Sequence, residues 1–260
     1  MATLPNPLPK LAADPSGRSL GLPLPPGRLI DATDDGPWHE PLLWCSGRAV
    51  SPGNWAALGG SGARVGLLPV LVDLGDAQGG PEHWQLTPGE TTYPGDHDAE
   101  EVLAEHWAEC APEEDGPWPG LAGPQTLTAA PDVRAAEVAD ALAQAGSWPK
   151  DPHLALVPAR RSADIPAAIG WSGPLNHDED VARLCAVLRS WEDRFGIRVT
   201  ALGFDWLTVS VAAPPTSRAE AEAVAAEHAA FSPDTLASAK SLPSYADSLP
   251  GAHSWHFWWD

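Results

Sequence analysis

The chain has 260 residues, 43% of them hydrophobic, with 35 acidic side chains against 15 basic ones and a formal net charge of −20. That length suffices for one large domain or two small ones with ample core, and no window approaches the ~18 consecutive apolar residues of a membrane span. The charge argues against nucleic acid and anionic membranes as partners, because a polyanion is repelled by both; it suits a basic protein partner, or simply solubility.

Residues 1–26 are punctuated by proline and broken by charge, so they read as an irregular arm. They lack the basic start, apolar run and small-residue cleavage site of a secretory signal, and a cytoplasmic protein is expected. A smaller α/β region is expected over residues 27–149. In it "PLLWCS" (41–46) reads as a strand, "GNWAALG" (53–59) as a short helix and "GLLPVLVDL" (66–74) as a second strand. The glycines of "LGGSGARVG" (58–66) lack the Gly-Lys-Ser/Thr ending and the strand–helix setting of a phosphate-binding loop, and imply a flexible turn. Asp96 or Asp98 is placed to cap "AEEVLAEHWAEC", where Val102, Leu103, Trp107 and Cys110 form an apolar stripe. Acid is concentrated here, with nine acidic residues and no base between Asp96 and Asp115. Residues 111–131 have the composition of a loop, and a helix is expected from about Asp132 to Ala145, ended by Gly146.

From residue 150 the pattern sharpens into an α+β domain over 150–260. "HLALVPA" (153–159) reads as a buried strand. Asn176 and Glu179 have the spacing of a capping box, ahead of a helix in which Val181, Leu184, Cys185, Leu188, Trp191 and Phe195 recur at helical period and Gly196 ends the run. Two strands follow, "IRVTALGF" and "LTVSVAA", separated by Asp205-Trp206, a poor two-residue turn that calls for extra residues or a bulge. Ser217 and Glu220 form a second capping box, for a helix through Ala230. Ser232-Pro233 restarts a short helical turn, and "SYADSL" is one more. In the closing "GAHSWHFWWD", Trp255, Phe257 and Trp259 alternate with His256, Trp258 and Asp260, which reads as a strand. The order strand, helix, strand, strand, helix, strand is that of a ferredoxin-like, split β-α-β sheet with helices on one face. In that fold the last strand lies inside the sheet beside the first, so the chain would end in core.

"LALVPARR", "LRSWEDRFGIRVTALGFDWLTVSVAAPP", "AAEHAAFSPD" and the closing "FWWD" together resemble a bacterial domain-of-unknown-function family, numbered four-two-five-three, over roughly residues 150–260. The resemblance implies a fold and boundaries but no activity. It also implies a cysteine where this chain has Ser232, and that departure leaves a thiol mechanism without its nucleophile.

Few residues have the pattern that chemistry needs. His228 shares a helical face with Ala221, Val224, Ala225 and Phe231, so its imidazole is expected to point inward, where burial and nearby acids set its pKa. Ser232 and Asp234 stand about one turn beyond it, and His256 and Asp260 share a face of the final strand. A Ser/His/Asp arrangement suits acyl transfer, but no nucleophile-elbow motif surrounds Ser232, and Ser-Pro is better explained as a helix cap. His253 and His256, three apart on a strand, point to opposite faces and do not converge on a metal. The glutamates at 101, 105 and 109 share a helical face that is expected to be solvated. Cys45, Cys110 and Cys185 are odd in number and widely spaced, which builds neither a disulfide framework nor a thiolate zinc site. No metal and no cofactor are expected. Arg160-Arg161 is the only pair of adjacent bases and a candidate for an anionic group. The 13 tryptophans include several in Gly/Pro-rich segments, and Trp171 and Trp206 are candidate recognition surfaces. The leading expectation is a non-catalytic, acidic, tryptophan-rich protein-binding or regulatory module with a basic partner. The alternative is a small hydrolase or transferase centred on His228.

Overall fold

The computed structural model describes residues 5–111, 116–144, 146–236, 239 and 241–260. In chain order the elements are α1 (Pro9–Ala13), β1 (Gly27–Ile30), β2 (Ala32–Thr33), β3 (Gly36–Pro37), β4 (Leu43–Ala49), α2 (Asn54–Ala63), β5 (Leu67–Asp73), α3 (Ala99–Cys110), α4 (Pro131–Leu142), β6 (Pro152–Pro158), α5 (Ile165–Ile169), α6 (Val181–Phe195), β7 (Arg198–Leu202), β8 (Trp206–Ser210), α7 (Arg218–Phe231), α8 (Pro233–Leu236), α9 (Leu242–Ala246) and β9 (Ser254–Trp258). The expected α+β class is what forms. The helix expected to reach Ala145 ends at Leu142, and Ala145 itself lies outside the described residues.

Local chemistry sets most of these boundaries. Asp98 caps α3 by accepting the N–H groups of Glu100 and Glu101, and Ser217 with Glu220 closes a full capping box on α7, each satisfying amides that the first helical turn leaves free. The start of α6 differs from expectation. Asp180, not Asn176, is the cap, accepting from the Ala182 N–H, while the Asn176 side chain donates to the Asp260 carbonyl. Asp and Asn cap equally well, so a five-residue stretch holding Asn176, Asp178 and Asp180 leaves the choice to tertiary contacts. The loop between β7 and β8 takes in Gly203, Phe204 and Asp205, with Trp206 already in the strand. The Trp206 indole lies so close over Gly203 that a Cβ there would sit 1.9 Å from Nε1, and only glycine fits.

Seven strands form one sheet in the order β1-β4-β6-β5-β7-β8-β9, antiparallel except for the parallel pair β5 and β7. The sheet runs straight across residue 150, with β5 from the N-terminal half wedged between β6 and β7. This departs from the ferredoxin-like order. The final strand does not lie beside β6; among the described residues it is an edge strand paired with β8 alone. Its aromatics are buried by helices instead. Trp255, Phe257 and Trp259 are at most 2% exposed beneath α6 and α7, while His256 and Trp258 on the other face are half-buried. A strand at an edge needs one apolar face, not two.

Helices cover both faces. α3, α5, α6 and α7 pack on the face bearing Val70, Val72, Ala155, Val157, Val199, Leu207 and Val209. α2 and α4 cover Leu71, Leu154, Ala201 and Trp206 on the other. The arm expected to be irregular contributes there too, since Leu8, Leu11 and Leu22 bury against Trp44, Leu67 and Leu156.

The open edge at β9 is plugged by side chains. The Trp258 N–H donates to Thr235 Oγ1 at 3.1 Å, and its carbonyl accepts from Ser232 Oγ at 2.7 Å. Two hydroxyls from α8 and the residue before it thus replace the next strand, blunting a row of peptide groups that would otherwise invite another chain.

Candidate functional site

His228 is fully buried in an aromatic box. Its ring centroid lies 4.5 Å from that of Trp255, 4.9 Å from Phe257, 5.1 Å from Trp191 and 5.8 Å from Tyr245. Nδ1 is 3.0 Å from the Tyr245 hydroxyl, and Nε2 has no hydrogen-bond partner among the described residues. Desolvation pushes the imidazole pKa down to about 3 and the Tyr245 hydroxyl up. The ring is neutral and its pair is with a phenol, so it has the surroundings of a packing residue and not of a base open to substrate.

The other candidates around it are occupied with structure. Ser232 Oγ, besides holding Trp258, lies 2.6 Å from Thr235 Oγ1. Asp234 accepts the backbone N–H of Asp260 at 3.1 Å. His256 Nδ1 is 2.9 Å from Thr208 Oγ1, with its pKa lowered by burial. Each of these groups has its hydrogen bonds directed away from His228, so the structure does not draw the five residues into one relay.

The predicted binding residues divide. Trp171 is core, 2% exposed, with its indole N–H donating to the Gly203 carbonyl at 2.9 Å. Trp206 is 1% exposed. Neither offers a surface: Trp171 packs edge-on against Trp259 with Gly173 close to its ring, and Trp206, in β8, is buried in one cluster with Ala135 and Ala139 of α4. The tryptophan-rich surface expected from composition is likewise absent: nine of the 13 are buried, Trp38, Trp118 and Trp258 are partly buried, and Trp148 is exposed to 54%. Arg161 is tied to Glu192 and Asp193. It and Arg160 border a cleft of about 590 Å³ between α2 and α4, floored by Trp55, Gly59, Gly60 and Ala136, with Asp132, Glu137, Asp140 and Glu192 among the other walls. The acids there match or outnumber the arginines, which removes the electrostatic case for an anionic guest.

Two buried polar centres lie outside the predicted site residues. Glu227 is wholly buried on α7. Its carboxylate takes both arms of the Arg194 guanidinium at 2.7 and 2.6 Å, the Trp191 indole N–H at 2.7 Å and the Ala122 N–H at 2.6 Å. It stands three residues after Val224 and four before Phe231, and that spacing on the apolar face was the available signal. Glu227→Ala is expected to destabilise the protein by about 3–5 kcal/mol, because it strands a largely buried guanidinium and two further donors. The midpoint of urea unfolding, read by far-ultraviolet circular dichroism, checks this. The second centre joins α3 to the start of α6. His106 Nε2 lies 3.0 Å from Asp178 Oδ2, which also accepts from Arg183 Nε at 2.8 Å. Burial works against ionisation of Asp178, yet the bonds from His106, the Asp180 N–H and Arg183 hold its carboxyl below the usual range. The pair has the composition of an acid–histidine dyad but is only 4% and 6% exposed. Among the described residues no group of three or more His, Cys, Asp or Glu is placed to hold a metal ion. No helix among them is long and apolar enough to cross a membrane.

Residues 153–260 match the model of a family described as Domain of unknown function (DUF4253). No curated protein and no solved structure matches the chain.

Proposed function

We propose that the chain is a non-catalytic binding protein of the bacterial cytoplasm, whose acidic surface holds a basic protein partner. The disposition of its charge carries this reading. Among the described residues, Arg28, Arg134, Arg161, Arg183, Arg189, Arg194, Arg198 and Arg218 lie within ion-pair distance of an Asp or Glu. With 35 acids against 15 bases, the acids left over are what an approaching molecule meets. A field of one sign accelerates encounter with a partner of the other sign and rejects anions. The rival reading, a hydrolase or transferase around His228, draws less support from a sealed imidazole and a serine committed to the Trp258 carbonyl.

An N-terminally tagged chain purified from its native cells at low ionic strength is expected to retain a stoichiometric basic protein. Raising salt, which shortens the screening length from about 30 Å at 0.01 M to about 3 Å at 1 M, should release it. Recovery of the chain alone at low salt would overturn the proposal. A partner that survives 1 M salt would overturn its electrostatic basis.

A further inference from the structure

Trp148 is the one tryptophan that the fold leaves out, and the surroundings of that ring are not those of an ordinary loop. The loop carrying it is pinned. Asp73, 3% exposed at the end of β5, accepts the N–H groups of Lys150 and Asp151, at 3.2 and 2.8 Å, and that of Gly75 at 3.0 Å. Ser147 Oγ lies within hydrogen-bond distance of the carbonyls of Leu142 and Gln144, which share its one proton. The indole so placed is 54% exposed, yet its centroid is 6.0 Å from both the Trp206 ring and the His256 ring, and those two rings are 5.5 Å apart. Trp258, opposite Trp206 in the β8–β9 register and half-buried on the same face as His256, extends the surface. Exposing so large a ring while fixing its backbone forgoes burial worth about 1.5–3 kcal/mol for a large apolar side chain, and fixed exposed aromatics of this kind recur as recognition anchors.

Carboxylates gather at the same end of the sheet. Asp205 immediately precedes Trp206, and Asp76 follows Gly75, whose backbone abuts Lys150 and Asp151. Asp205 is held above the usual carboxylate range, first by burial and then by the charges of Asp76 and Asp260. The bases of this region are Lys150 and His256, and the imidazole of His256 is kept toward its neutral form by burial.

We propose that the Trp148 face, flanked by Asp76, Asp205 and Asp260, is the docking point for an arginine or lysine side chain of a basic protein partner. The indole face attracts the cation, tryptophan being the best of the aromatic rings for this, and the three carboxylates supply the complementary charge. The assignment rests on the basic-partner reading above and gives it a location.

A fluorescein-labelled nona-arginine peptide, followed by fluorescence anisotropy at low salt, tests it on the full chain. Wild type is expected to bind, Trp148→Ala to weaken binding about tenfold, and Trp148→Phe to recover part of the loss. Asp76→Asn with Asp205→Asn should weaken it similarly. Glu100→Gln with Glu101→Gln, an equal change of charge on α3, should alter it less than twofold. Equal losses from the two acid pairs, or no loss from Trp148→Ala, would overturn the docking point while leaving the basic-partner reading in place. A wild type that ignores the peptide would overturn both. Thermal melts of every variant establish that each remains folded.

Discussion

Removing Trp255–Asp260 should abolish cooperative unfolding. The three inward aromatics of the last strand and its continuation, Trp255, Phe257 and Trp259, are at most 2% exposed. They pack against Trp191, Phe195, His228 and Phe231, mostly edge-on, at ring distances between 4.5 and 5.5 Å. Truncating one buried Phe or Trp to Ala costs about 3–5 kcal/mol. Losing three reaches the whole net stability of an ordinary domain, about 5–15 kcal/mol. The shortened chain is expected to retain helical circular dichroism, bind an apolar dye and show no calorimetric transition. A sharp transition near the wild-type temperature would refute the placement of β9. Single substitutions refine the test by face: Phe257→Ala should cost several times as much as Trp258→Ala, whose ring is half-exposed.

The second large effect is a loss of stability in acid that traces to His228. An ordinary histidine takes up its proton near pH 6.5, whereas this one, desolvated within the aromatic box, does so only near pH 3. The unfolded chain therefore binds the proton more tightly. The contribution is fully present above pH 6.5, declines by about 1.4 kcal/mol for each unit of pH lost, and is gone below pH 3, about 5 kcal/mol in all. Carboxylates held down by hydrogen bonds, Glu220 and Asp14 among them, add acid sensitivity of their own, so the histidine is isolated by difference. His228→Phe keeps a ring in the box and removes the titration. Between pH 6.5 and pH 4 its unfolding free energy should fall less steeply than that of wild type, and parallel curves would show that His228 does not titrate as its surroundings require.

What could be read from the chain was what is encoded within a few residues. The Ser217–Glu220 box, the stop at Gly196 and the stripe from Val181 to Phe195 depend on one helix each, and all are present as expected. The alternation of Trp255, Phe257 and Trp259 gave a strand and its inward face correctly. Its neighbours were not legible. Strand order is decided by which apolar faces complement each other across the whole chain, and no spacing near residue 255 announces that β5 occupies the place beside β6. The tryptophans misled for a related reason. Gly/Pro-rich context says that the backbone turns at Trp171, not whether it turns back over the ring, and a turn at Asp205-Trp206 does not say that α4 covers the indole. Glu227 was missed because a carboxylate on an apolar stripe reads as an error of period until Arg194, 33 residues away, is seen to meet it. Nothing in the residues around Trp148 marked it out, and its exposure on a loop anchored by Asp73 is what separates it from the other tryptophans.

The place of β5 also sets a timetable for the ribosome. The strand ends at Asp73, but its antiparallel neighbour begins at Pro152 and its parallel neighbour at Arg198. At about 5–20 residues per second of synthesis, the nascent chain carries Leu67–Asp73 with neither edge paired for several seconds. β4 can pair at once with β1, but its other edge waits over the same interval for β6. Two apolar strand edges thus emerge early and meet their partners only late, so the order of synthesis leaves them open while the chain between residues 73 and 152 is made.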